Sequence, residues 1–406
     1  MTCGFAARQT WRQALRPRCR SAGQLQREVK RMSQPTEKRR IASIELLRII
    51  SMLMVVTLHY ISKTDALALP GDEMTPARYM GGFLESFCIV AVNVYVLISG
   101  YFLSAVSFKV SRGVRLLAQV LFYTLLIPPV LRAAGLPVYG QGVWKAAAYF
   151  LPVSTEHYWF VSAYILMLVF SPLLNAAVEK LQRKALRTVI LFLLFFTCFL
   201  KSISPVQLVT DRMGYDFGWF LVLYLLAAYI RKYGLRRLED PVRAACVYIG
   251  SCLATYGLHV CLHIVNEKSG ALSYYATVPF HYNSLLCLTG ALGFFSLFRC
   301  LRLRENGFAA AFSRAVAPYA FGVYLIHEQI DIRDRWVIWM QTLTGNVQQG
   351  SPLRFLLQAL VTAVIVFTCC ALIDCVRSRL FKAVSHCFRG SRIAAALRKA
   401  DAIFAR

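Results

Sequence analysis

Charge is what this sequence has least of: charged residues make up 16% of its 406 positions, where an average soluble protein carries about 25%. Acidic residues are the scarcer sign, 20 Asp and Glu against 46 Lys and Arg. With 57% of the chain in the hydrophobic set, a soluble fold of this length lacks the polar surface to cover itself. Any Cys-x-x-Cys pair is also missing. Most of the 13 cysteines lie inside apolar runs, Cys88, Cys198, Cys246, Cys252, Cys287, Cys369 and Cys370 among them. Buried cysteine behaves as a small hydrophobe, so neither a metal site nor a disulfide framework is expected. No fixed-period self-similarity is present, which withholds support from a transporter built on obvious repeats. No long apolar stretch precedes Ile41, so no secretory signal is read.

What the chain does have is long apolar runs, at about 41–61, 83–105, 115–134, 158–177, 188–204, 217–231, 243–265, 279–298, 316–331 and 354–376. Each is near the ~20 residues a membrane-spanning helix needs. With the N-terminus inside, the inside segments hold 35 Lys and Arg and the outside segments 10, Arg48 lying within the first helix. Dropping or adding one span would destroy that alternation, because basic residues concentrate in cytoplasmic loops. The expected fold class is therefore all-α: a polytopic membrane helical bundle of about ten transmembrane helices, multi-pass in the cell membrane, with both termini cytoplasmic. The lipid bilayer is the first partner. Nucleic acid is not one, because the net charge of +26 sits mostly in those loops.

The domain organisation follows. Residues 1–40 carry 11 Lys and Arg against Glu28 and Glu37 and read as a disordered cytoplasmic arm. An organelle presequence, or a true start at Met32, fits the same composition. Residues 41–376 form the transmembrane domain, and 377–406 a basic cytoplasmic tail. That tail can form a helix with apolar Ile393, Ala394, Leu397 and Ile403, suited to an anionic membrane surface.

Chemistry begins on the first helix. Arg48 and His59 are eleven positions apart, almost three whole turns, so they share one face about 16 Å apart along the axis. Glu45 precedes Arg48 by three residues, the spacing at which helical side chains meet, and can orient the guanidinium. Alone, Arg48 can simply snorkel to the inner interface and His59 can be a wetted interfacial residue. Together, a cation near the inner end suits a phosphate-bearing donor and an imidazole near the outer end suits a general base on a hydroxyl. A donor with a long arm between its phosphates and its reactive carbon bridges the gap, and acyl-coenzyme A is such a molecule.

Other motifs carry a bland reading beside the functional one. Ser99-Gly100-Tyr101 near the inner end of helix two is equally a helix-packing site. Arg112 and Arg115, three apart at the start of helix three, make a diphosphate clamp or an ordinary positive-inside cluster. Helix four opens Glu156-His157-Tyr158-Trp159-Phe160, where an aromatic belt is the default. Helix nine carries His327 and Glu328, an ionisable pair inside a span and so a functional candidate, although His327 can serve only to hydrogen-bond across helices. The outer loop from Asp331 to Arg335 and Trp336 is placed to border an acceptor pocket.

In combination these motifs resemble the bacterial integral-membrane acyltransferase family 3. The resemblance rests on Arg48 and His59 on helix one, Ser-Gly-Tyr-Phe-Leu ending helix two, Arg112 and Arg115, the Tyr-Trp-Phe start of helix four, and Tyr-Leu-Ile-His ending at His327. It covers about residues 40–376. It implies a ten-helix domain moving an acyl group, often acetyl, from cytoplasmic acyl-CoA to a hydroxyl of an envelope glycan or lipid-linked sugar, without a metal. It implies His59 as the base and Arg48, Arg112 and Arg115 as coenzyme A ligands. Two positions depart from the pattern. Glu45 stands where the family often has Asp, which keeps the charge. Asn93 stands where an acidic residue is common, so no protonic role is assigned there. With no appended hydrolase-like domain, the chain is similar to short O-acetyltransferases of surface polysaccharides. The rival reading is a transporter or flippase of an envelope precursor, which explains the helix count but not the shared face of Arg48 and His59. A sensory domain without turnover ranks last.

Overall fold

Inside a bilayer, backbone groups have no partner but one another, so apolar runs of this length become helices. The computed structural model describes residues 41–405, apart from 140–141, 156, 210, 346–350 and 389. The basic arm of residues 1–40 lies outside the described residues.

In chain order the helices begin with α1 (Ala42–Lys63), α2 (Pro76–Cys88) and α3 (Ala91–Leu103), the last two forming one broken span. Then come α4 (Val110–Ala133), short α5 (Val143–Phe150), α6 (Trp159–Lys180), and α7 (Arg183–Leu194), which continues through a π turn into α8 (Leu200–Ile203). The second half comprises α9 (Phe217–Tyr233), α10 (Pro241–Ser269), α11 (Ser273–Thr277), α12 (Leu285–Cys300), α13 (Phe308–Val316), α14 (Ala320–His327), α15 (Arg335–Thr344), α16 (Pro352–Cys387) and α17 (Arg392–Ile403). No strand occurs among the described residues.

Among the described residues, nine helical segments are long and apolar enough to cross a membrane. They fall on nine of the ten apolar runs, and α9 falls on the tenth. Its 17 residues rise about 25 Å, the short end of what a crossing requires. Local sequence sets the starts. Thr75, Asp216, Asp240, Ser284 and Ser351 each accept a backbone N–H of the first turn they precede, and Pro76, Pro241 and Pro352 follow in the first helical position. Gly270, in the left-handed region at φ 65°, ends α10.

Burial divides the bundle into a centre and a lipid-facing shell. The most apolar windows of α1, α2–α3 and α11–α12 are 67%, 78% and 67% buried, against 22–28% for α4, α7–α8 and α10. Short α9 belongs to the centre, with Phe220, Leu223, Tyr224 and Ala227 fully enclosed. Leu191, Phe192 and Phe196 on α7 and its π turn stay exposed, as a lipid-facing surface requires.

Two of the boundaries that differ from those read in the sequence bear on the site. The 316–331 run stops being helical at His327, where Glu328 caps α14 and the chain turns through Gln329–Ile332. Helix α16 runs on from 376 to Cys387, so the start of the expected tail is the last three turns of a spanning helix. Beyond it, α17 folds back on α4. Asp401 accepts the Ser111 backbone N–H at 2.9 Å and the Ser111 hydroxyl at 2.6 Å, and Phe404 meets Phe108 edge to face. Those two hydrogen bonds hold the Asp401 carboxyl below the usual carboxylate range, so it caps α4 from outside as a charged group at neutral pH.

Candidate functional site

His59 lies one turn before the end of α1 and meets His327, the last residue of α14, across 268 positions of sequence. His327 is fully buried, and its Nδ1 stands 2.6 Å from the Val323 carbonyl, which can only accept. That assigns the His327 proton to Nδ1 and makes its Nε2 an acceptor in a neutral ring. His59 Nδ1, 2.9 Å away, is then the donor. The consequence is chemical: the free lone pair of a neutral His59 sits on Nε2. Glu328 Oε1 lies 3.3 Å from His59 Nδ1 and 3.6 Å from Lys63 Nζ, and Lys63 also pairs with Asp334 at 3.0 Å. A positive charge arising on the His59 ring therefore meets a carboxylate.

The turn carrying Glu328 is fixed from three sides. His157 Nε2 accepts the Ile330 N–H at 3.3 Å, and burial, with Arg333 nearby, pushes the His157 pKa down to about 4, which keeps that nitrogen an acceptor. Tyr158 donates to the Leu325 carbonyl at 2.6 Å. Asp331 accepts from Tyr149 at 2.8 Å and Gln329 at 2.9 Å. Of the loop expected to border a pocket, Asp331, Asp334 and Arg335 do line a separate cavity of about 290 Å³, whereas the buried Trp336 packs against Tyr60 and His327.

Three cavities bear on the site, and His59 lines two of them. One holds about 430 Å³ between α4, α6 and α16 and is basic, with Arg112, Arg115, Arg377 and Lys382 on its walls. A second is an apolar neck with only about 40 Å³ of free volume, walled by Met52, Val55, Tyr95, Phe160, Phe321 and Tyr324. The third holds about 410 Å³ and is lined by Glu85, Trp159, Tyr215, His259 and Tyr282. His59, Leu58, Trp159 and Tyr282 wall both the neck and the third cavity. Helix α6 lines both the basic cavity, through Tyr164, and the neck, through Phe160, and these two rings stack at 5.9 Å. His59 stands where neck and third cavity meet.

Arg48 pairs with Glu45 at 3.2 Å, as their spacing requires, and its backbone carbonyl accepts from Tyr95 at 2.6 Å, tying α1 to a wall of the neck. Arg112 and Arg115 share the basic cavity. Ser99 and Tyr101 go elsewhere. Ser99 bonds back to the Tyr95 carbonyl, and Tyr101 is buried against Phe295 with its carbonyl held by Arg231. Between them, Gly100 admits the Tyr224 backbone so closely that a Cβ would lie 2.9 Å from its Cα, the packing use of a small residue. Asn93 is equally structural, donating to the Tyr282 carbonyl at 2.7 Å and accepting from Trp219 at 3.0 Å.

The sequence reading omitted several side chains that the fold brings here. Lys63, Arg377 and Lys382 lie outside the apolar runs, and no sequence motif singles them out. Glu85 and His259 are buried and line the third cavity, yet Glu85 Oε2 and both His259 nitrogens have no hydrogen-bond partner. The signal was present: Glu85 is the single carboxylate of the 28-residue Pro76–Leu103 span, and an ionisable group inside a span marks a functional candidate. His59, His327 and Glu328 also have ligand atoms within 4.8 Å of one another, compact enough for a cation. Those atoms already face one another, and Lys63 puts an ammonium beside Glu328.

The arrangement offers one oriented base between an apolar neck and an aromatic cavity, with a basic cavity walled in part by the same helix α6. That suits transfer of a group between two substrates arriving from opposite sides. A family model described as an acyltransferase domain matches residues 41–375, whereas no curated protein and no solved structure matches the chain. Most of this multi-pass helical protein is therefore that domain, and the chain belongs to the membrane acyltransferase family 3.

Proposed function

We propose that the protein moves an acetyl group from cytoplasmic acetyl-CoA to a hydroxyl of a cell-envelope carbohydrate. The observation that carries this reading is the position of His59, with its free Nε2, at the junction of the neck and the third cavity. Coenzyme A phosphates lie against Arg112 and Arg115 and the pantetheine arm follows the neck, while Arg48, which lines neither cavity, supports the neck wall through Tyr95. A neck this narrow favours a short acyl group over a long chain. The acceptor hydroxyl enters from the other side. His59 Nε2 takes its proton as the oxygen attacks the thioester carbonyl. The C–S bond breaks, and the thiolate leaves with the proton that His59 returns. Glu328 and His327 steady the imidazolium between these steps.

The third cavity supports a sugar-like acceptor. Trp159, Tyr215 and Tyr282 pack against one another at 4.6–5.7 Å, which makes a continuous aromatic wall rather than a cage around a point charge. The C–H face of a sugar ring suits such a wall, and the unpartnered Glu85 and His259 can receive its hydroxyls. Tyr215→Ala and Glu85→Gln are each expected to raise the acceptor KM about tenfold while leaving acetyl-CoA affinity unchanged, about 1.4 kcal/mol of acceptor binding. A parallel loss of donor affinity would place these side chains elsewhere in the mechanism.

The decisive experiment feeds radiolabelled acetyl-CoA to membranes holding native protein or His59→Ala. Label reaching an envelope glycan, or the protein itself, only with the native histidine is the expected result. Equal labelling by both removes His59 from the chemistry. Substrate flux without consumption of acetyl-CoA supports the transporter instead.

A further inference from the structure

The basic cavity has two walls, and the function proposed above uses one of them. Arg112 and Arg115 project from α4; Arg377 and Lys382 project from α16, beyond the region where the sequence placed any site residue. Arg377 is a fixed fixture. Its Nε and Nη2 meet the two Asp374 oxygens at 2.8 and 2.9 Å, and its guanidinium lies 4.9 Å over Phe381. Asp374 is fully buried and also accepts from Tyr123 at 2.7 Å and Gln119 at 3.1 Å. Lys382 is different. It is exposed where it lines the cavity, as Arg115 is, and stands five residues further along α16, about 7.5 Å along the axis.

Four cations against the single carboxylate of Asp374 leave the cavity more positive than a diphosphate, at about two negative charges, requires. Coenzyme A carries a further phosphomonoester on its ribose 3′ carbon, beyond the diphosphate as seen from the thioester. A phosphomonoester brings about −1.5 to −2 charge at neutral pH. With the thioester at His59 and the diphosphate at Arg112 and Arg115, that group comes to lie on the far side of the diphosphate from His59. A lysine lining the same cavity suits it as a mobile point charge.

We propose that Lys382 reads the 3′-phosphate of coenzyme A, so that the protein distinguishes coenzyme A from dephospho-coenzyme A. This rests on the acetyl-CoA donor reading. The test is equilibrium binding of both compounds to full-length native protein, Lys382→Ala and Lys382→Arg in phosphatidylcholine nanodiscs, where no anionic headgroup competes for the cavity. Native protein and Lys382→Arg are expected to bind coenzyme A about tenfold more tightly than dephospho-coenzyme A at low ionic strength. In Lys382→Ala that preference disappears, through weaker binding of coenzyme A alone. Equal native affinity for the two compounds overturns the inference. So does a Lys382→Ala loss that is the same for both. Native protein binding neither compound overturns the donor reading itself, and this inference with it.

Discussion

Alanine in place of His59 is expected to lower acyl transfer by roughly three to four orders of magnitude, and alanine in place of His327 by about two. The inequality follows from the direction of the hydrogen bonds. In the proposed reaction His59, which lines both cavities, handles the proton itself. His327 is buried, has its Nδ1–H committed to Val323, and acts by accepting His59 Nδ1–H at 2.9 Å. In the proposed reaction it is a positioning residue: without it only the longer 3.3 Å contact with Glu328 holds the His59 Nδ1–H, and the ring is oriented less firmly. His327→Gln offers an oxygen acceptor in roughly the same place and is expected to recover part of the rate, whereas His327→Phe recovers none. The measurement is the initial rate of acyl transfer per amount of protein in the membrane, with affinity for the proposed acetyl-CoA donor determined alongside. His327→Ala as inactive as His59→Ala would make the two histidines equal partners in proton transfer. A native rate in His327→Ala would leave the hydrogen bond without a role in catalysis.

This pair shows where sequence reasoning reached and where it stopped. Periodicity put Arg48 and His59 on one face of α1 because both lie on a single helix, and the 3.6-residue repeat settles such a relation without a fold. The ten apolar runs were legible for a similar reason, since the bilayer imposes length and composition segment by segment. Contacts between helices were not. The meeting of His59 and His327 depends on how α1 and α14 pack, and no local rule ties positions 268 apart. The same gap hid Arg377 and Lys382, which look like ordinary boundary charges until α16 stands opposite α4. It also overstated Ser99 and Tyr101, whose motif is used for close backbone approach between α3 and α9. Glu85 was a true omission: a lone carboxylate in a span can be seen from sequence, although its neighbour His259 cannot be seen to join it.

Gly322→Ala is expected to destabilise the protein by about 3 kcal/mol and to reduce acyl transfer further than its loss of folded protein explains. Gly322 lies in α14, where it lets that helix close on α16. A Cβ there would collide with the carboxyl carbon, Oδ1 and Cβ of Asp374. A flexible surface side chain would swing aside, but Asp374 is fully buried and held by Tyr123, Gln119 and both contacting nitrogens of Arg377. Moving it breaks a buried ion pair, and moving α14 shifts His327, five residues along, away from His59. Displacement by about an ångström at a reacting group can cost about a hundredfold in rate. Thermal unfolding of purified protein in nanodiscs reads the stability, and the transfer rate of the remaining folded protein reads the displacement. The collision has its own control, because Asp374→Gly removes both the carboxylate and the Cβ that Gly322→Ala would strike. In that background the added cost of Gly322→Ala is expected to fall well below its cost in the native chain, the non-additivity of residues in contact. Equal costs in the two backgrounds would mean that Gly322 is required for some reason other than the approach of α14 to Asp374.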